Sequence, residues 1–428
     1  MKRILLLSCL CWSLLAQAQT YNNEWIDYSK TYYKFKVGAT GLYRITQPSL
    51  SSAGLGSVPA EQFQLWRNGQ EVPLYTSVAS GSMSGSDYIE FWGERNDGKP
   101  DNELYKILDF QLSDKYSLQT DTAAFFLTVN PSGSNLRLVN TTNDVAGNIL
   151  PPEPYFMHTT GKYLRDYINP GYFVDAGEYV HSSSYDKGEG WVGWDIYAGQ
   201  SLTGSYPLHL YSSGPEATFK VNLSGNAINL RDFRIKINGD SIYGQSLNFL
   251  EYAKVVVPNI PLSILSSGTA DIEITNTSST LSDRMVVAQY ELVYPRIFHF
   301  GDTTNFEFEL PANPAGNYLE ITNFNYSSTA PVLYDLTNGK RYVGDISTPG
   351  LVKVALEPSA VTRRLILVSE APTNVNFVTT FTTRNFLNLT DPANQGDYLI
   401  ISHPQLFNGA GGSNPVDQYR AYRSSVAG

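Results

Sequence analysis

What most constrains this chain is its punctuation. Short runs of strand-forming residues alternate apolar with polar side chains, and Asn-Gly pairs or Gly/Ser/Pro clusters break them at close intervals. That pattern suits tandem β-sandwiches and leaves little room for long helices. Residues 32–37 alternate, residues 38–41 form a turn and residues 42–45 return, so 24–45 reads as a hairpin. A short helix is expected over 47–54. Residues 63–67 and 72–75 flank Asn68-Gly69, a strong two-residue hairpin signal. Further strands at 87–93 and 122–129 close a first β domain, 19–150.

Pro151-Pro152-Glu153-Pro154 reads as a stiff linker. Residues 155–300 then carry strands at sandwich spacing, around 191–196, 207–211, 217–223, 233–237, 255–257, 271–274 and 286–294. Two sheets in a jelly-roll-like sandwich, assigned to 151–300, are the natural packing. A third β segment follows over 301–390, with Asn338-Gly339 inside it.

The last stretch, 391–428, changes character. Asp397-Tyr398-Leu399-Ile400-Ile401-Ser402 is apolar without in/out alternation, as in strands covered on both faces of a parallel sheet. After a Gly-rich loop, Asn414-Pro415 supplies an N-cap and a first-turn proline. Val416, Tyr419, Tyr422 and Val426 fall on one helix side, and Gly428 is placed to end it. A single βα unit cannot cover its own strand. The expectation is that 391–428 opens an α/β domain whose remainder lies outside this chain. The alternative is a tail that docks on the preceding β domain.

Residues 1–18 read as a secretory leader: Lys2-Arg3, an apolar core from Ile4 to Leu15, and Ala16-Gln17-Ala18 as the cleavage box. The implied destination is the periplasm, the outer-membrane surface or the extracellular space. Both cysteines, Cys9 and Cys11, leave with it, so the mature chain has no disulfide and no nucleophilic thiol. No later apolar run is long enough for a transmembrane helix. The 428 residues carry 30 basic and 40 acidic side chains, a net charge of −10, with no basic cluster. Nucleic acid is thereby excluded as an expected partner.

Candidate sites are few. Asp97, Asp101 and Glu103 share one loop with Asn96 and Asn102 and form a candidate calcium site, although the spacing is not that of an EF-hand. No other cofactor is expected. Trp191 and Trp194 flank Asp195, an arrangement suited to stacking on a sugar. At that spacing on a strand they face opposite sides, so at least one belongs to the core. The five histidines form no spaced metal motif. His403 lies just past the expected tail strand, where α/β sheets place their ligands.

Several patches resemble a known family. Asp87-Tyr88-Ile89-Glu90-Phe91-Trp92-Gly93, Asn96-Asp97-Gly98 with residues 101–105, Tyr116-Ser117-Leu118, and Asp121-Thr122-Ala123-Ala124-Phe125-Phe126-Leu127-Thr128 are similar to the N-terminal region of gingipain-like secreted proteins. The sortase-type branch of the type IX secretion system matches best. Asp397 to Pro404, Tyr419-Arg420 and Gly428 resemble the opening of that family's peptidase domain. The resemblance implies a caspase-like α/β domain with a Cys–His dyad, in which a thiolate attacks the peptide carbonyl. It also implies cargo proteins and type IX secretion components as partners, and removal of C-terminal sorting signals with transfer of cargo to a surface glycolipid. The dyad comes later in the family than this chain reaches, and His403 does not match its position, so no catalytic residue is carried over. Two functions follow as expectations. One is the non-catalytic N-terminal portion of a gingipain-like cysteine peptidase, a sortase, inactive on its own. The other is a secreted β-sandwich protein that binds carbohydrate or acts in adhesion, with no enzymatic activity.

Overall fold

The structure is a computed structural model that describes residues 23–181 and 185–426. The leader, its cleavage box, Cys9, Cys11 and Gly428 lie outside the described residues. The chain is mainly β and divides into a large unit, 33–382, and a small one formed by the two ends.

The large unit begins with two sheets that share one core. One sheet aligns Tyr32–Val37, Ala123–Val129, Phe63–Arg67 and Gln70–Val72. The Asn68-Gly69 turn forms as expected, with Arg67 opposite Gln70 and positive φ at both turn residues (48° and 74°). The other sheet aligns Gly41–Thr46, Tyr88–Gly93 and Tyr75–Thr76. The hairpin expected over 24–45 is therefore corrected: its two strands belong to opposite sheets and do not pair. Non-local contacts decide this. Phe35 stacks on Phe125 at 5.6 Å within its own sheet and meets Phe91 across the core at 5.8 Å.

The middle of the unit is a sandwich. Phe156–Tyr163, Ile196–Tyr197, Arg284–Arg296, Ala217–Gly225 and Tyr252–Ile260 make one sheet. Ser201–Pro207, Thr269–Asn276, Leu230–Ile237 and Asp240–Asn248 make the facing one. Alternation fixes which side chains go inward: Phe219, Val221 and Leu223 from one sheet meet Phe233, Ile235 and Ile237 from the other, all buried. Arg231 and Asp283 are fully buried and paired at 3.0 Å. A smaller sheet of Tyr167–Asp175, Glu178–Val180 and Lys187–Val192 flanks the sandwich.

The last part of the unit packs around phenylalanines. Phe300 stacks on Phe306 at 4.0 Å, with Phe156, Phe298, Phe308 and Phe324 around them. Two returns tie it to the first sheets. Val139–Thr141 runs parallel to Lys340–Val343, and Val375–Phe377 runs parallel to Gly41–Thr46. Between them, Leu42 and Trp92 share an apolar cluster with Val332, Tyr334, Ile366 and Val368. Beside that cluster the buried Glu90 accepts from Tyr334 Oη and from Arg44 Nε at 2.5 Å, while Arg44 also holds Glu370 at 2.6 Å.

In the small unit, Trp25, Tyr32 and Phe386 meet edge to face at 5.2–5.6 Å. The helix at Asn414-Pro415 forms as Pro415–Arg423, with the Asn414 side chain accepting from Asp417 N at 3.1 Å. The strand expected over 397–402 is corrected. That segment is irregular and pairs with no strand among the described residues, and Leu399 and Ile401 are 81% and 89% exposed. The helix side of Val416, Tyr419 and Tyr422 is likewise not buried. Without a neighbouring strand there is no ladder to satisfy the segment's backbone groups or to cover its side chains.

Candidate functional site

The loop that carries the calcium expectation is a clasp. Residues 94–122 leave the first sheets, turn through two short 3₁₀ helices, Lys99–Leu104 and Leu108–Phe110, and lie along the sandwich. Leu112 is fully buried with Val192, Val286 and Ala288. Its N–H donates to Glu189 O at 2.9 Å, and its own carbonyl accepts from Asn222 Nδ2 at 2.8 Å. Lys115 pairs with Glu291 at 2.9 Å. Asp101 is buried, and both of its oxygens are used: one accepts from Ser117 Oγ at 3.0 Å, the other from Leu118 N at 2.6 Å. Asp97 accepts from Lys99 N at 3.0 Å and pairs with the Lys99 ammonium at 3.1 Å. Glu103 lies on the same 3₁₀ turn as Asp101. Among the described residues no three His, Cys, Asp or Glu side chains are grouped so as to hold a metal. Titration of the protein with calcium chloride, read by calorimetry, is the direct test of the calcium expectation.

The two tryptophans separate. Trp191 belongs to the clasp: its indole N–H donates to Ser117 O at 2.9 Å, and the Arg165 guanidinium sits 4.9 Å over its ring. Arg165 also covers Tyr116 at 5.0 Å and pairs with Asp121. Trp194 lies two residues past the end of the strand Lys187–Val192, where the chain leaves the sheet, and is 71% exposed. Tyr167 backs it at 5.8 Å with the rings tilted by 35°.

Asp195 is held by three partners that its sequence neighbourhood does not reveal. Oδ1 accepts from Asn226 Nδ2 at 2.6 Å and from Tyr167 Oη at 3.1 Å, and Arg284 lies 3.7 Å from Oδ2. Burial, and then the Asp195 carboxylate, push the Tyr167 hydroxyl up, so it remains a neutral donor. Trp194 and Asp195 line a cleft of about 240 Å³ with Asp166, Lys162, Gln200 and Ser201 on its polar side. Asn226 and Arg284 come from distant strand ends, and only the sandwich brings them here.

The histidines do not assemble a catalytic group. His209 and His299 stack at 3.7 Å, and Arg296 Nε donates to His299 O at 2.9 Å. His158 stacks on Phe306 at 5.5 Å. Burial, then Arg296 and His209, hold its imidazole down at about 3. His181 Nδ1 lies 2.8 Å from Gly171 O. His403 Nδ1 accepts from Gln405 N at 3.2 Å and caps the turn Pro404–Phe407, a local structural role. No helix among the described residues is long and apolar enough to cross a membrane.

No protein-family model and no curated protein matches the chain. Among solved structures, dimeric latent PorU from Porphyromonas gingivalis is similar over 83% of this chain and 33% of that one, at 12% identity and a TM-score of 0.48. The chain thus spans about a third of the length of that relative. A carbohydrate-binding module, CBM36 in complex with calcium and xylotriose, is similar over 32% of this chain and 98% of its own, at 13% identity and a TM-score of 0.21. The CBM36-1 domain of a multidomain xylanase from the hindgut metagenome of Trinervitermes trinervoides covers 32% of this chain and 95% of its own, at 11% identity and a TM-score of 0.21. At these identities and TM-scores the likenesses carry no functional argument.

Proposed function

We propose that this chain is the β-rich, non-catalytic portion of an exported gingipain-like cysteine peptidase of the type IX secretion sortase branch. The observation that carries the reading is where the resembling patches fall. Tyr88–Gly93, the 3₁₀ turn Lys99–Leu104, Tyr116-Ser117-Leu118 and Ala123–Val129 are one continuous piece, the two core strands and the clasp between them. A resemblance spread over residues that act together in one element is harder to obtain by composition alone than scattered matches would be. The tail adds a second support: an exposed apolar segment and a capped helix with exposed apolar sides, the surfaces that further α/β strands and helices would cover.

In this reading the β modules carry and support a peptidase domain, and the partners are cargo proteins and type IX secretion components. The chemistry belongs to that domain. Beyond Cys9 and Cys11 the sequence contains no cysteine to act as nucleophile. The purified chain, assayed with reductant present, is expected to leave peptides intact, and thiol-sensitive hydrolysis by it would overturn the assignment. Reading the coding DNA past Gly428 tests the other half. An open frame that supplies further strand–helix units with a His and a Cys supports the proposal, and a stop codon there removes it.

A further inference from the structure

We propose that the cleft beside Trp194 is a carbohydrate subsite that takes the apolar face of one neutral pyranose ring. Three observations point the same way, and none depends on the peptidase reading.

The first is the cost of the arrangement. Trp194 exposes 71% of a large indole, well above the exposed aromatics Tyr163, Phe173, Tyr197 and Phe249 of the same region, at 37–43%. It is nevertheless placed, with Tyr167 behind it and Gly193 buried before it, and is not a disordered end. An indole presented to water on a built support is a flat apolar platform.

The second is what surrounds the platform. Asp195 is fixed by Tyr167, Asn226 and Arg284, so its carboxylate is oriented before anything binds. Asp166 and Lys162 also line the cleft, and among the described residues neither side chain has a hydrogen-bond or ion-pair partner. Gln200 uses its carbonyl oxygen on Tyr197 N at 3.4 Å, which leaves its amide N–H groups for a ligand. Acceptors and donors therefore stand together at one apolar wall. A sugar ring offers the matching surface: a flat C–H face, and an edge of hydroxyls that donate and accept.

The third is size and charge. The cleft, at about 240 Å³, falls below the ~300–1,000 Å³ of pockets for drug-sized ligands and suits one ring. Asp166 and Asp195 are balanced by Lys162 and by the Arg284 guanidinium 3.7 Å from Asp195, so the cleft carries no net charge and suits a neutral ligand better than an acidic or phosphorylated one.

The test is calorimetric titration of the full chain with methyl hexopyranosides, methyl xylopyranoside and their β-linked oligomers, followed in parallel by tryptophan fluorescence. Saturable binding of at least one neutral glycoside is expected. Trp194→Ala should weaken it about tenfold, and Asp166→Asn should weaken it less. The exposed position of Trp194 makes its replacement compatible with folding, which circular dichroism checks. Trp194→Tyr should restore part of the affinity lost in Trp194→Ala, because it restores a platform. No saturable binding by the native chain, binding of acidic sugars alone, or binding indifferent to Trp194→Ala would each overturn the proposal.

Discussion

Arg231 shows how a single residue can set the character of a core. Its guanidinium is fully buried in the sandwich and all three of its nitrogens donate: to Asp283, to Phe249 O at 2.6 Å and to Ala227 O at 2.7 Å. Asp283 in turn accepts from Asn276 Nδ2 at 2.9 Å. Removing one partner leaves a charge in the interior with nothing to balance it. Asp283→Ala should therefore cost ~3–5 kcal/mol in urea unfolding, whereas replacing both residues with apolar ones should cost less. Titration at His158 gives a second prediction. The folded imidazole is held down at about 3, with Arg296 and His209 facing it. The unfolded chain binds this proton near pH 6.5 and the folded chain does not, so the unfolded state carries the extra proton. Stability from this site is complete above about pH 6.5 and is lost as pH falls toward 3, by up to ~1.4 kcal/mol per pH unit. Thermal unfolding from pH 7.5 to 4 should show this slope, and His158→Phe should flatten it.

Among elements, the clasp over 94–122 holds more of the molecule together than its irregular sequence suggests. Asp101 organises it by accepting from Ser117 and Leu118, and the clasp then places Leu112 under the sandwich and Ser117 O under Trp191. Asp101→Ala leaves a buried hydroxyl and a backbone N–H without acceptors. The expected cost is ~1–3 kcal/mol, with faster proteolysis inside 94–122 as the measurement that separates loosening of the clasp from global unfolding. The turns were legible in advance because their signal is local. Asn238-Gly239 joins Ile237 to Asp240 with φ of 52° and 88°, as a two-residue turn requires. The tail helix was legible for the same reason, since its cap is two adjacent residues. The clasp was not legible, because nothing in Asp97, Asp101 and Glu103 distinguishes ligands for a metal from acceptors for a loop's own donors.

For the molecule as a whole, the large unit is closed by chain that returns late. Val375 sits beside Leu42 in the parallel pair and is buried with Trp92, Val332 and Ile366. If residues 33–129 were stable by themselves, a change at 375 would leave them untouched. In this fold Val375→Asp places a charge in a shared apolar cluster and should destabilise by several kcal/mol. It should also speed amide hydrogen exchange in the strand Gly41–Thr46, more than 300 positions away in the sequence. Unchanged exchange there would show that the return is dispensable.

Sequence alone determined what is carried by neighbours: the β class, the Asn-Gly turns, the alternation of strands covered on one face such as Ala217–Gly225 and Leu230–Ile237, and the capped helix at the end. Those follow from side-chain size, backbone propensity and a period of two, all readable within a few residues. Tertiary structure decided everything that depends on which distant segment arrives. It put residues 32–37 and 42–45 in opposite sheets, left 397–402 without a strand partner among the described residues, gave Trp191 to the clasp and Trp194 to solvent, and brought Asn226 and Arg284 to Asp195. A strand's hydrogen-bonding edges are alike for every candidate partner, so pairing is chosen by packing across the whole core and not by the strand's own residues.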